Sequence, residues 1–288
     1  MRKRLVLMST AALLFIIWVI WGNKALTAEK IVIYDSGIPS AFNGFRIVQV
    51  SDLHNAEFGR GNNELLEVIE DCRPDIIVAT GDIIDSGRTD TLTAALFVEN
   101  ALKTTPVYYV TGNHEARLLE QGGTGKDEYF KLESIMVNAG ANVLHGESVS
   151  IERGESEIQI IGIDDPEYLR LNKYAGENRI TLSNIDEFIK EDIFTVLLSH
   201  RPELFEEYAK SGVNLVIAGH AHGGQFRLPF VGGLFAPNQG FFPRYDSGLY
   251  EKNNTKMVVS RGLGNSAVPI RFNNRPEIVV IELNNKSR

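Results

Sequence analysis

Five of the six histidines in this 288-residue chain stand in short polar motifs, each following an apolar, β-branched run. The motifs are Asp52-Leu-His54, Gly81-Asp82, Gly112-Asn113-His114-Glu115, Ser199-His200 and Gly219-His220-Ala-His222; only His145 falls elsewhere. Imidazole and carboxylate together suit manganese, iron, zinc or cobalt rather than calcium or a thiolate cluster. Each motif alone is weak, because a single histidine at a strand end is commonly a hydrogen-bonded structural residue. Five in succession are harder to explain one by one, since site residues cluster. One ion would be over-supplied with donors, so two are expected. Two ions roughly 3.5–4 Å apart can clamp an in-line phosphoryl displacement. Asp-x-His places both side chains on one side of an extended chain end. His220-Ala-His222 does likewise if extended, whereas a turn there would send the two imidazoles to different ions. The glycines before Asp82, Asn113 and His220 permit tight turns and close backbone approach.

The runs that carry these motifs read as strands: Phe45–Ser51, Asp75–Thr80, Val107–Thr111, Ile158–Ile163, Phe194–Ser199, Leu215–Ala218, Met257–Ser260 and Ile278–Leu283. Several are continuous Val/Ile stretches, as strands buried on both faces require. Helical patterns fall between them at Asn63–Cys72, Thr91–Lys103, Asp127–Asn138, Ser183–Lys190 and Glu203–Lys210, with Gly140 and Gly212 where C-caps belong. This alternation indicates a layered α/β domain whose later strands form a second sheet. In such sheets ligands sit beyond the carboxyl ends of the strands, where the polar motifs lie. Residues 225–250 lack periodicity but hold Phe226, Phe230, Phe235, Phe241, Phe242 and Tyr245, and read as a long loop or lid.

Composition narrows the function classes. The net charge is −8, and Arg2, Lys3 and Arg4 supply three of the 29 basic residues, against 37 acidic ones. So acidic a body argues against a nucleic-acid backbone binder, and no nucleic-acid partner is expected. Cys72 is the single cysteine, which excludes an intramolecular disulfide and a thiolate-rich zinc site and leaves a packing role.

Behind the basic cluster, Leu5 to Trp21 carries no charge and has only Ser9 and Thr10 as polar members. That is close to the roughly 17-residue lower limit for a spanning helix, with Trp18 and Trp21 suited to the far interface. The positive charges predict a cytoplasmic N-terminus and an extracytoplasmic body. A cleaved signal peptide is the competing reading, against which stand the length of the run and the poor cleavage sites around Ala25–Ala28. The expected division is residues 1–30 as anchor and linker, and 31–288 as one catalytic domain.

Taken in order, the motifs D-x-H, G-D, G-N-H-[ED], H and G-H-x-H resemble those of the calcineurin-like metallophosphoesterase superfamily over about residues 44–284. Gly219-His-Ala-His-Gly-Gly-Gln225, Ser199-His-Arg-Pro202 and Gly262-Leu-Gly-Asn-Ser with Arg275-Pro-Glu-Ile278 are similar to its membrane-anchored, YkuE-like branch. The resemblance implies a four-layer β-sandwich flanked by α-helices. It also implies that Asp52, His54 and His222 bind one ion, that Asn113, His200 and His220 bind the other, and that Asp82 bridges both. His114 would act on the leaving oxygen or the equatorial charge without binding metal. A metal-bridging hydroxide would be the nucleophile, with manganese the first expectation and no phosphoenzyme formed.

The substrate is an expectation of a different kind. An anchored site close to a bilayer suggests lipid phosphates or cell-envelope phosphodiesters, with a pyrophosphohydrolase of an acylated UDP-sugar as the alternative specificity. An inactive lipid-binding or scaffold module on the same fold is the alternative from another class; its mark would be a missing ligand, and none is missing. Phe230, Phe235, Phe241 and Phe242 could form an interfacial lip for a lipid headgroup, or simply fill core beneath a long loop. Arg201, next to His200, could reach substrate phosphate or belong to a structural ion pair. Asp164-Asp165 reads as a turn or cap.

Overall fold

The computed structural model describes residues 2–171, 179–265 and 268–286. Two six-stranded sheets face each other. The first runs Thr27–Asp35, Glu277–Asn285, Phe45–Val50, Ile76–Thr80, Val107–Val110 and Asn142–Val143. The second runs Gly248–Lys252, Thr255–Val259, Leu215–Ala218, Thr195–Leu198, Ser156–Gly162 and Glu147–Arg153. Central strands such as Ile76–Thr80 and Leu215–Ala218 are buried along their whole length, which is why they read as unbroken apolar runs.

Apolar side chains on the two faces of each sheet build three clusters. Ile47, Val78, Val196, Ile217 and Val279 meet between the sheets. On the outer face of the first, Val48, Ile77 and Ala79 pack with residues of the helices Asn63–Asp71, Thr91–Ala101 and Gly123–Ala139. On the outer face of the second, Leu197 and Val216 pack with the helix Phe205–Ser211. The result is helix, sheet, sheet, helix, the four-layer architecture that the resemblance implied. Each such side chain, fully buried, contributes about 1.5–3 kcal/mol.

Local signals set most helix ends. The Asp90 carboxylate caps Thr91–Ala101 by accepting from Thr93 N at 3.0 Å. Gly140 and Gly212 end their helices in the left-handed conformation, at φ 98° and 89°. The expected helix Ser183–Lys190 forms only the 3-10 turn Ile185–Phe188. Asn184 instead ties the backbone locally, accepting from Thr181 N at 2.6 Å, and Gln159 of the neighbouring strand bonds Phe188 O and Lys190 N.

The anchor boundary needs correcting. The strand Thr27–Asp35 pairs in parallel with Glu277–Asn285, so residues 27–30 belong to the first sheet rather than to a linker. Thr27 fixes the start by donating from both N and Oγ1 to Pro276 O, each at 2.9 Å. Ahead of it, the helix Arg2–Gly22 contains a 20-residue segment, Lys3–Gly22, long and apolar enough to cross a membrane and not buried by the rest of the molecule.

Three strands that carry motifs, ending at Val50, Thr80 and Val110, are parallel neighbours in the first sheet. The strands ending at Leu198 and Ala218 are parallel neighbours in the second. The buried Gln49 amide joins the two sheets at that edge, donating to Thr80 Oγ1 at 2.9 Å and Ala218 O at 2.8 Å. All five motifs therefore open at one end of the sandwich.

Candidate metal centre

The backbone leaves its regular conformation where the polar residues begin. Asp52, His54, Asp82, His220 and His222 have φ of 52°, 47°, 53°, 66° and 48°. Side-chain-bearing residues seldom adopt this left-handed region, and such strain gathers at functional sites. The expectation that Asp52 and His54 share the face of an extended chain end is thus replaced. The strand stops at Val50, and the turn, not the pleat, swings both side chains inward. The turn at His220-Ala-His222 separates the two imidazoles, as the alternative reading had it. Glycine is required where these turns touch. A Cβ on Gly81 would lie 2.6 Å from Gly112 N, and one on Gly219 would collide with Ser51 Oγ.

Three groups of donor atoms converge, each within 4.8 Å: Asp52, His54 and His222; His54, Asp82 and His114; and Asp82, His200 and His220. His54 Nε2 faces His222 Nε2 at 3.1 Å, and His222 Nε2 lies 3.4 Å from Asp52 Oδ1. On the other side His200 Nε2 stands 3.1 Å from His220 Nδ1 and 3.2 Å from Asn113 Oδ1. Asp82 Oδ2 joins the halves, 3.7 Å from His54 Nε2 and 3.2 Å from His200 Nε2. Every expected ligand is therefore in one buried cluster. The donor set fits metal ions. Thr80 O accepts from His200 Nδ1 at 2.8 Å, fixing the ring so that its Nε2 points inward.

Electrostatics agrees with that fit. Burial lowers His54 well below the ordinary histidine range, against the pull of Asp82. Burial also lowers His220 well below it, helped by His200 and Arg201. His222 falls through burial too, Asp52 opposing and Arg271 reinforcing. Neutral imidazole is the form that binds metal. Burial alone would raise Asp82, but His200 and His114 hold it well below the carboxylate range. Burial likewise works against a charge on His200, yet Asp82 pushes that ring up to about 10. A proton on His200 and a cation beside it answer the same carboxylate.

His114 sits at the edge of this cluster. Its ring meets that of His54 edge-on at 4.5 Å, and its backbone N–H donates to Asp82 Oδ1 at 2.8 Å. Ser86 N donates to its Nδ1 at 3.1 Å, and Arg117 Nη1 stands 3.3 Å from its Nε2. The Gly112-Asn-His-Glu motif opens the helix Asn113–Gln121, a second duty not foreseen for it. There Glu115 is a buried acceptor for four backbone N–H groups: Gly112 at 2.8 Å, Asp82 at 2.9 Å, Ile83 at 3.0 Å and Ile84 at 3.5 Å. It locks the Asp82 turn to the start of that helix. A carboxylate at the third helical position was the signal available in the sequence.

Arg201 is buried rather than held out towards substrate. Its guanidinium bonds both oxygens of Asp165, lies 3.1 Å from Glu167 Oε1, and places Nη1 3.2 Å from His220 Nε2. Of the two readings offered for it, the ion pair describes its place; it backs a ligand. Asp165 also caps the short helix Pro166–Leu171, accepting from Glu167 N at 2.8 Å. Arg271 does for His222 what Arg201 does for His220, with Nη2 3.3 Å from His222 Nδ1. Its backbone is pinned to the end of the apolar N-terminal helix by Asn23, which accepts from Arg271 N at 2.7 Å and donates to Arg271 O at 2.9 Å. No short-range pattern predicts that link, since the two residues lie 248 positions apart.

Residues 225–250 fold into two small hairpins, Arg227–Leu228 with Gly232–Gly233 and Phe235–Ala236 with Gly240–Phe241, before the strand Gly248–Lys252. Phe230, Phe241 and Phe242 project into solvent, each more than 60% exposed, and Phe235 is 48% exposed. Of the aromatics there, Tyr245 alone is fully buried, so core filling does not account for the four phenylalanines.

Comparison with known proteins agrees with this geometry. Residues 45–224 match the family described as calcineurin-like phosphoesterase. The chain is 34% identical to the uncharacterized metallophosphoesterase YkuE of Bacillus subtilis, over 87% of this chain and 83% of that one. It is 27% identical to the phosphodiesterase YaeI of Escherichia coli, over 83% and 82%. A zebrafish transmembrane protein with a metallophosphoesterase domain is 30% identical over 85% of this chain and 54% of its own. Among solved structures, the sulfate thiohydrolase SoxB of Thermus thermophilus shares the fold, with a TM-score of 0.50 at 13% identity over 80% of this chain and 53% of its own. The chain belongs to the calcineurin-like phosphoesterase family and is a metallophosphoesterase, a phosphoester hydrolase with a histidine–aspartate cluster compatible with metal binding.

Proposed function

We propose that Asp52, His54 and His222 hold one metal ion, that Asn113, His200 and His220 hold a second, and that Asp82 serves both. On this reading the pair hydrolyses a phosphate ester at the outer face of a membrane. The observation that carries it is the single oxygen Asp82 Oδ2, which faces a histidine of each half. When bound, the ions supply positive charge against the phosphate and an activated water. The protein's own part is to orient the donors through Thr80 O, Glu115 and the two buried arginines. His114, at the edge of the cluster beside His54, is the candidate to protonate the leaving oxygen. An inactive scaffold is disfavoured because none of the seven donor positions is replaced.

Manganese is the first candidate, with iron, zinc or cobalt next, on donor chemistry alone. The name of the Escherichia coli relative favours a diester over a monoester. The basic residues ahead of the apolar helix favour a body outside the cytoplasm. The exposed phenylalanines favour contact with lipid. The full chain in detergent micelles is expected to bind two ions per molecule and to cleave an aryl phosphodiester with added Mn²⁺, stopping with chelator. Chelator-resistant turnover, or one ion per chain at full activity, would refute the shared centre. Phe241→Ser with Phe242→Ser should spare the aryl ester and slow cleavage of phospholipid in mixed micelles. Equal effects on both would reject the lip.

A further inference from the structure

A cavity of about 410 Å³ lies between the end of the membrane helix and the loops of the metal centre. Val19 and Ile20 form one wall, Ala56 and Phe58 a second, and Leu263 and Ile270 a third, with Asn23, Lys24, Glu57 and Asn265 among its polar members. Its size falls within the range of small-molecule sites. Two features fix what it connects. The helix wall is the last part of the apolar segment Lys3–Gly22, whose remainder is free to stand in a bilayer. The other walls are extensions of the ligand loops. Ala56 and Phe58 lie two and four residues after His54, and Leu263-Gly264 is bonded to the Asp52 turn, Leu263 N to Ser51 O at 3.1 Å and Gly264 N to Asp52 O at 2.7 Å. Gly264 packs so closely that a Cβ would strike Leu53 O.

We infer that this cavity receives the apolar tail of an amphiphilic phosphoester whose phosphate lies at the metal centre. The inference rests on the phosphoesterase reading above and names its substrate class: a lipid with one alkyl or acyl chain led from the bilayer along Val19 and Ile20. A chain leaving the hydrocarbon at the end of the helix meets an apolar lining without crossing water. The polar side chains admit the headgroup, and the Asp52 and His54 turn is the next surface reached. The tail side is thus distinct from the phenylalanine hairpins, which follow the His220 turn in the chain.

Two soluble diesters with one leaving group test this: p-nitrophenyl methyl phosphate and p-nitrophenyl dodecyl phosphate, the latter below its micelle concentration. The full chain in nanodiscs is expected to show a KM at least about tenfold lower for the dodecyl ester, the effect of burying two or so methylenes. Ile20→Trp and Ile270→Trp, each filling the cavity from a different wall, should erase that preference. The methyl ester reports in each variant whether the metal centre has survived. Equal KM values for the two esters in the parent chain, or a preference that survives both tryptophans, would overturn the tail site. Failure to cleave either ester would instead count against the phosphoesterase reading itself.

Discussion

His145 and His54 are both histidines packed beside carboxylates, yet their ring nitrogens face opposite kinds of atom. His145 meets Asp164 Oδ1 at 2.8 Å with Nδ1 and Glu133 Oε2 at 3.3 Å with Nε2, and its ring stacks on Tyr168. Burial works against its charge, but the two carboxylates outweigh it and push the ring up to about 9. Arg179 adds a further cation at 3.3 Å from Asp164. That cluster is closed in charge, an imidazole set between two carboxylates. His54 points Nε2 at another Nε2, that of His222, and burial keeps it neutral. Two buried imidazole nitrogens 3.1 Å apart, beside the carboxylates of Asp52 and Asp82, form a cluster that a cation would satisfy. The backbone differs in the same sense, for Asp52, His54, Asp82, His220 and His222 all lie at positive φ, and His145, Glu133 and Asp164 do not. Left-handed φ also occurs at turn residues elsewhere, such as Asn62, Arg73 and Asn253, but five of the seven expected donors have it.

The sharpest way to break this contrast is Asp82→Asn. It removes the one charge that both halves share while keeping the shape, so turnover should fall by at least about 10³-fold and bound metal by elemental analysis should drop. Full metal-dependent turnover would mean that Asp82 is not shared. His114→Ala comes next. Loss of a positioned proton donor costs about 10²-fold in turnover, with two ions still bound; loss of metal would make His114 a ligand. Glu115→Gln is a smaller and more particular test. Each carboxylate oxygen accepts backbone N–H, so the new amide must turn an NH₂ against those donors whichever way it rotates. The Asp82 turn should loosen and metal affinity should fall by about 10–100-fold, read by competition with a chelator, with little change in turnover at saturating metal.

These residues were not equally legible in the sequence. Asp52, His54, Asp82, Asn113, His200, His220 and His222 announce themselves because polar groups stand where apolar strands stop, and the structure brings all seven together. Central strands were legible for the complementary reason, being apolar throughout. Edge strands were not: Glu147–Arg153 alternates half-exposed with exposed residues, and Thr27–Asp35 exposes both Glu29 and Lys30. The reason that Asp52 and His54 converge was hidden as well, because left-handed φ at an aspartate or histidine leaves no mark that glycine would leave. Hidden most deeply was the support. Arg271 reaches His222 and Asn23 across most of the chain length, and only the pairing of the first strand with the last brings them together.

His145→Gln probes the closed cluster and should leave the metal centre alone. A folded value of about 9 against the ordinary 6.5 is equivalent to about 3 kcal/mol, as an upper limit for a group this buried. Because the folded value is the higher one, that stabilisation is fully present below about pH 6.5 and is lost as the pH climbs through about 9. Glu133 works from the acid side: its carboxyl is held below the ordinary 4.5 despite burial, chiefly by bonding to His145, so its share is lost as acid protonates it. The parent chain should therefore lose unfolding free energy between pH 6.5 and 9 in urea titrations, and the glutamine variant should lose less. The gap between them should narrow as the pH rises, while bound metal stays at parent level throughout. A gap that stayed constant with pH would mean that shape and not the proton holds the cluster. A gap accompanied by metal loss would mean that Asp164, through its bond from Thr111 at 2.8 Å, transmits the damage to Asn113 two residues on. In that case the two clusters would form one network, and the contrast between them would be one of degree.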